Sequence, residues 1–412
     1  MTATSGTRAG APVAAFFTDP GFDFGMRCAL GATGYGVGDP GSVLATAAAI
    51  TDGDRQSWFD AWTARGDRFA ALAGEADPHG AVWAQRSASA AYSRALEAAD
   101  GLPGGPDAVL LPTFRRSREC WEAMVDASQG RFVRMDVDGP DGPMPGWLLR
   151  PDATGAVRPT LVLTNGSDGS LADLWGSGAG EAVARDWNAF VYDGPGQQSM
   201  LFERGVPFRP DWETVLTPVV DALVARRDVD ARALTAYGVS QAGYWLPRAL
   251  AFEHRFVAAV ADPGVVDVST SWTAFLPPEM TALLDAGRRA EFDGYMAQAG
   301  GDPATAREFA FRARPYGITD PYDLFTAVRG YHLRDVADRI RTPLLITSPD
   351  REQFWPGQSE QLAALLTAPH EVAAFSAVDG ADVHCEPLAR RYAAMRMFAW
   401  LVGRLIGSSR RS

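Results

Sequence analysis

The stretch Leu234-Thr235-Ala236-Tyr237-Gly238-Val239-Ser240-Gln241-Ala242-Gly243 places a serine between small residues two positions away on either side. A short apolar run, Leu234 to Tyr237, precedes it, and a helix-like pattern runs from Trp245 to Phe252. A nucleophilic serine at a strand-to-helix junction sits on a strained turn that lifts its hydroxyl clear of the sheet, and only Gly or Ala fits at the two flanking positions. Ala242 stands where the commonest pattern has glycine, so an ordinary strand-to-helix turn is the competing reading. The surroundings decide between them.

Further apolar runs flank this one: Thr160 to Thr164, Ala189 to Tyr192, Phe256 to Ala261, Pro343 to Thr347 and Glu371 to Phe375, with helical patterns between them, notably Trp212 to Arg226. Strands alternating with helices predict a mostly parallel sheet with helices on both faces. Arg131 to Val137 and Gly146 to Arg150, separated by the Gly139 to Pro143 turn, predict an early hairpin. Upstream, Trp58, Trp62, Phe69 and Leu72, then Trp83, Tyr92 and Leu96, recur at helical spacing, and another helix is expected over Arg116 to Ala127. About eighty residues separate the strand ending near Ala261 from the one at Pro343, far more than one crossover needs. The expected organisation is a helical segment over 1–128, a core over 129–267 and 339–412, and a lid insertion over 268–338 whose aromatic residues include Trp272.

A serine hydroxyl needs a base, and the base needs a carboxylate to orient it. In this architecture they follow later strands, in the order serine, acid, histidine. The loop after Thr347 offers Asp350 and Glu352; the loop after Phe375 offers His384, ahead of a closing helix from about Leu388 to Ile406. Glu352 is favoured over Asp350 because it lies nearer Phe354-Trp355-Pro356 and its longer side chain compensates for its later start. The oxyanion formed on attack needs backbone donors. One is expected from the Gln241 amide, the other from the Asn165 to Gly169 loop, at Ser167 or Asp168. Asp262, Tyr244 and Trp272 are candidate substrate contacts, with Asp262 more readily read as a turn residue before Pro263. His79, His254, His332 and His370 lack comparable context.

Composition narrows the chemistry. The 412 residues contain 38 basic side chains, all arginine, so lysine Schiff-base chemistry and a Walker A phosphate loop are ruled out. A net charge of −12 with scattered arginines leaves no electrostatic footprint for nucleic acid. Three cysteines in no CxxC pair suit a reducing cytoplasm and argue against structural zinc; no metal or cofactor is expected. Met1 to Val13 lacks the pattern of a secretory leader, and no apolar run is long enough to span a membrane. The expected partner is a small-molecule substrate, and homodimerisation through the helical front segment is compatible with the sequence.

The run Tyr192-Asp193-Gly194-Pro195-Gly196-Gln197, Arg209-Pro210-Asp211-Trp212-Glu213, the serine turn, Tyr316 to Pro321, Phe354 to Gln358 and His384-Cys385 together resemble the α/β-hydrolases grouped with the FrsA-like esterases. The nearest pattern is that of the 2,6-dihydropseudooxynicotine hydrolase-like group, which includes fungal hydrolases that shorten polyketides. The resemblance spans about Phe16 to Leu405. It implies an α/β-hydrolase core, an N-terminal helical cap over the site, and a triad of Ser240, an acid and His384. Some members cleave carbon–carbon bonds beside a ketone; others are esterases or transferases. The chain departs from the pattern at Gln198, where glycine is familiar, and at Asn165, where many hydrolases carry histidine. The expectation is a serine hydrolase acting on a carbonyl compound, an ester or a polyketide-like β-diketone. An acyltransferase or cyclase using the same triad, and a catalytically silent binding protein, are the alternatives.

Overall fold

A computed structural model describes residues 12–409. The expectation about a secretory leader falls almost wholly on residues 1–11, outside the described residues. Ten strands form: β1 (Phe132–Arg134), β2 (Val137–Gly139), β3 (Gly142–Met144), β4 (Gly146–Leu149), β5 (Arg158–Thr164), β6 (Asn188–Tyr192), β7 (Val229–Val239), β8 (Ala258–Asp262), β9 (Leu344–Pro349) and β10 (His370–Phe375). Eight of them make one sheet in the order β1-β4-β6-β5-β7-β8-β9-β10. From β6 to β10 all neighbours are parallel, while β4 on β6 and β1 on β4 are antiparallel. The expected hairpin is thus the β1–β4 pair of the main sheet, with the separate two-stranded hairpin β2–β3 between them. β7 is longer than its apolar run suggests, because its first turn of chain carries exposed residues and a register shift against β5 at Arg158/Thr160.

Both faces of the sheet are covered, so the central strands read as continuous apolar runs. Alternate residues supply two cores: Val162, Phe190 and Leu234 face one, Leu161, Leu163, Ala189 and Val191 the other.

Five helices precede the sheet: α1 (Pro20–Ala32), α2 (Pro40–Ala47), α3 (Arg55–Glu75), α4 (Pro78–Leu96) and α5 (Leu110–Ala127). Asp54 caps α3 by accepting the amides of Gln56 and Ser57, and Asp77-Pro78 ends it while capping α4. Trp58, Trp62 and Phe69 are buried as their spacing predicts, but Leu72 lies on the solvent face. α5 starts at Leu110, before the expected Arg116. α1 is not evident in the periodicity, yet Phe22 stacks on Trp58 with ring centroids 4.3 Å apart. The front segment is tied to the core by Arg94–Asp173 at 2.7 Å and by Arg118–Asp193.

Between β8 and β9 the insertion forms helices Thr270–Thr273, Pro278–Asp285, Arg289–Ala299, Pro303–Ala313 and Pro321–Val328. Met280, Phe292, Tyr316 and Phe325 join the same core as β5 and β7, whereas Phe275 and Tyr295 are exposed. Most of the insertion's aromatic residues therefore serve packing. Among the described residues no helix is long and apolar enough to cross a membrane.

Candidate active site

Ser240 follows β7 directly and opens helix Ala242–Leu250, with a left-handed φ of 59°. A non-glycine residue holds that conformation only where its surroundings impose it. Here the Ser240 amide donates to the Asp262 carbonyl at 2.6 Å, and its carbonyl accepts the Gly243 amide at 2.7 Å. The small neighbours are needed for contact: a Cβ on Gly238 would stand 2.5 Å from the Ala242 carbonyl oxygen, and one on Gly243 would stand 1.9 Å from that of Pro263. Because backbone must yield in both cases, Gly243→Ala is expected to destabilise the fold by about 3 kcal/mol, read as a lowered denaturation midpoint. An unchanged midpoint would mean that the Pro263 turn gives way freely.

His384, buried in the loop after β10, places Nε2 2.8 Å from Ser240 Oγ, while its Nδ1 lies 2.9 and 2.8 Å from the two carboxylate oxygens of Glu352. Of the two candidate acids the structure brings Glu352, not Asp350, to the histidine. Asp350 uses its amide to pair with the Phe375 carbonyl and leaves its side chain in solvent. The turn closed by the Glu352 amide on the Pro349 carbonyl swings Glu352 inward, where Oε1 also accepts the amides of Phe354 and Trp355. Burial alone would push the Glu352 carboxyl up; the charge and hydrogen bond of His384, with those two amides, hold it below the usual carboxylate range. The acid and histidine loops are stitched together by Arg351 N–H to the Asp382 carbonyl (2.7 Å) and His384 N–H to Gln353 Oε1 (2.8 Å). Phe354 packs edge-on to the imidazole at 4.7 Å between centroids, and Phe24 of α1 approaches it at 6.3 Å.

The loop after β5 abuts the serine so closely that a Cβ on Gly166 would lie 2.7 Å from Ser240 Cβ. The Gly166 amide is taken by Asn165 Oδ1, whereas the amides of Ser167, Asp168 and Gln241 donate to no protein group among the described residues. Asn165 also bonds Ser170 through Nδ2, so at this position the carboxamide braces the loop. Gln197 Nε2 donates to the carbonyls of Asn165 and Gly166, and Gln198 Nε2 to that of Gly169. Gln198 adopts a φ of 37°, the left-handed region that explains why glycine is familiar there. Sequence reasoning gave the two glutamines no such role.

The expected substrate contacts sit elsewhere. Asp262 is buried, with its oxygens occupied by the hydroxyls of Tyr237 and Thr347. Tyr244 is fully buried and donates to the Pro210 carbonyl. Trp272 lies among Phe309, Tyr316 and Phe325 with the Arg312 guanidinium over its ring, one residue removed from the turn, since the Tyr316 hydroxyl reaches Gln241 Oε1 at 3.4 Å. In each case the side chain's partners are internal, which a single sequence does not display.

A cavity of about 160 Å³ opens beside Asp168, walled by Phe22 and Phe24 of α1, Glu97, and Arg307 and Phe311 of helix Pro303–Ala313. Glu97 is more than a third exposed where it lines this cavity. Burial pushes its carboxyl up to about 7 against the opposing charge of Arg94. Asp168 is also raised, by burial and then by Asp173. Apolar walls with a few polar groups are what a small-molecule site requires.

The chain is similar to Hydrolase LUC6 of Fusarium sp, 30% identical over 406 residues covering 92% of this chain and 95% of that protein. It is 28% identical to Alpha/beta hydrolase psoB of Aspergillus fumigatus, covering 80% of this chain and 79% of that one. Identity is also 28% with the 20-hydroxy-prefusarin hydrolase FUS2 of Gibberella moniliformis, over 93% and 96% of the two chains. Among solved structures, 2,6-dihydroxy-pseudo-oxynicotine hydrolase superposes with a TM-score of 0.69 at 17% identity over 92% of this chain and 96% of that one. AbyA5 superposes with a TM-score of 0.60 at 19% identity, over 88% and 94%. No family model matches the sequence.

Proposed function

The chain belongs to the α/β-hydrolases, and from that premise we propose that it is a serine hydrolase cleaving a carbonyl-containing small molecule, with Ser240 as nucleophile, His384 as base and Glu352 as the orienting acid. The observation that carries this reading is the unbroken chain of contacts from Glu352 through His384 to Ser240 Oγ, each within 2.9 Å. His384 takes the serine proton as Oγ bonds to the carbonyl carbon, and the oxyanion is received by the amides of Gln241 and Ser167. Collapse breaks the bond to the leaving group, which takes its proton from His384. Water, activated by the same histidine, then frees the acid from Ser240.

The substrate is an ester or a β-diketone of polyketide type. A mixed aromatic and polar cavity at the oxyanion loop supports a medium-sized substrate, and a relative named as a 20-hydroxy-prefusarin hydrolase supports hydrolysis of a small molecule. For a diketone the leaving group is an enolate, which His384 protonates at carbon. Three free cysteines are in keeping with a cytoplasmic enzyme. Incubation with a panel of esters and β-diketones, followed by product analysis and mapping of any acyl adduct to Ser240, tests the reading. Turnover of esters with every diketone untouched would remove carbon–carbon cleavage from it.

A further inference from the structure

Behind the histidine lies a buried group of charges that the hydrolytic reading leaves unused. Glu386 is fully buried, and among the described residues neither of its carboxylate oxygens meets a protein N–H or O–H. What it faces is the carboxyl of Asp262. Two ionised carboxylates have only acceptors to offer each other, so that contact becomes a hydrogen bond only when one of them carries a proton. The charge balance agrees, since the two carboxyls share one guanidinium, Arg390, which stands 4.0 Å from Asp262 Oδ2. Both Asp262 oxygens already accept hydroxyls, from Tyr237 and Thr347, whereas Glu386 has no such partner. The remaining titratable neighbours are Cys385, Glu352 and, on α1, Cys28.

The location gives this pair a task. The Asp262 backbone carbonyl accepts both the Ser240 amide at 2.6 Å and the Cys385 thiol at 3.2 Å, so one residue ties the serine turn to the segment that carries His384. Cys385 and Glu386 both hold left-handed φ values, 55° and 44°. α1 closes over the turn so tightly that a Cβ on Gly31 would lie 1.6 Å from the Pro387 carbonyl oxygen. Two successive non-glycine residues in that region need an anchor.

We propose that Glu386 is a positioning residue: it keeps a proton, donates it to Asp262, and through that bond clamps the His384 turn to the end of β8 so that imidazole and serine stay aligned. Burial pushes the Glu386 carboxyl well above the usual range, the neighbouring Asp262 charge adds to this, and Arg390 opposes it. The inference rests on the assignment of Ser240 and His384 as the reacting pair, but its first test is independent of activity.

Infrared spectra of the wild-type protein at pH 9, where Glu97 and the exposed carboxyls are ionised, are expected to keep a neutral-carboxyl C=O band that shifts in D2O and is missing from Glu386→Gln. Glu386→Gln keeps a donor toward Asp262 and is expected to retain kcat within about threefold while losing the alkaline fall-off expected of the wild type. Glu386→Ala is expected to lose at least tenfold in kcat with KM unchanged. Should the variants fail to fold, the wild-type band and its D2O shift still decide the protonation. Absence of that band, or a Glu386→Gln profile identical to the wild type together with full activity of Glu386→Ala, would overturn the proposal.

Discussion

Ser240→Ala is expected to fold normally, to lose covalent labelling by a fluorophosphonate probe in intact-mass spectra, and to lose four to six orders of magnitude in kcat. Alanine fits the turn, since removing Oγ leaves the backbone bonds of Ser240 to Asp262 and Gly243 in place. What is lost is the atom that bonds to the carbonyl carbon and the group from which His384 takes its proton. The residual rate would belong to binding and to the oxyanion donors proposed at Gln241 and Ser167, which the substitution spares. Wild-type protein that folds but takes up no probe would count against the hydrolase reading as a whole and favour a binding role for the fold.

Glu352→Gln is expected to cost about 10³ to 10⁴ in kcat with little change in KM, while Asp350→Asn leaves both unchanged. The carboxylate faces Nδ1–H of His384 and fixes the tautomer that leaves Nε2 free to accept the serine proton. An amide can present its N–H instead and select the other tautomer. The pH dependence has a definite sign. The Glu352 carboxyl is lowered in the folded protein, so the hydrogen bonds its ionised form accepts stabilise the fold fully above the ordinary glutamate range, and that contribution is lost as pH falls through the lowered value. Acid unfolding of Glu352→Gln is therefore expected to be flatter than that of the wild type over this window. Equal kcat for Glu352→Gln and the wild type would remove the residue from the triad.

The six parallel strands and the serine turn were legible because burial on both faces writes itself as short aliphatic runs, and because only small residues fit around Ser240. The preference for Glu352 came from its reach and its distance from Phe354, and the structure places that carboxylate on His384. α1 was not legible, for a reason visible in its packing. Gly25 and Gly31 make the segment read as non-helical, yet they let the helix close on Trp58 and on the Pro387 carbonyl. Asp262 and Tyr244 stood as candidate contacts because a polar side chain near the serine turn looks available until its internal partners are known. The bracing role of Gln197 and Gln198 depends on a left-handed residue and on a loop thirty positions away, contacts that no local pattern encodes.

The ion pairs joining the front segment to the rest of the chain bear on how a ligand gets in. Arg115–Glu203 and Arg134–Glu122 are solvent-facing, but Arg94–Asp173, Arg118–Asp193 and Arg314–Asp100 are largely withdrawn from solvent, so dissolved salt screens these three poorly. Ionic strength is not the lever that loosens this cover. Admission and escape of a guest are expected to need collective breathing of a whole helical segment, on the microsecond-to-millisecond scale of domain motions rather than that of loop flicker. Turnover of a bulky guest should then follow solvent viscosity, and that of a small one should not.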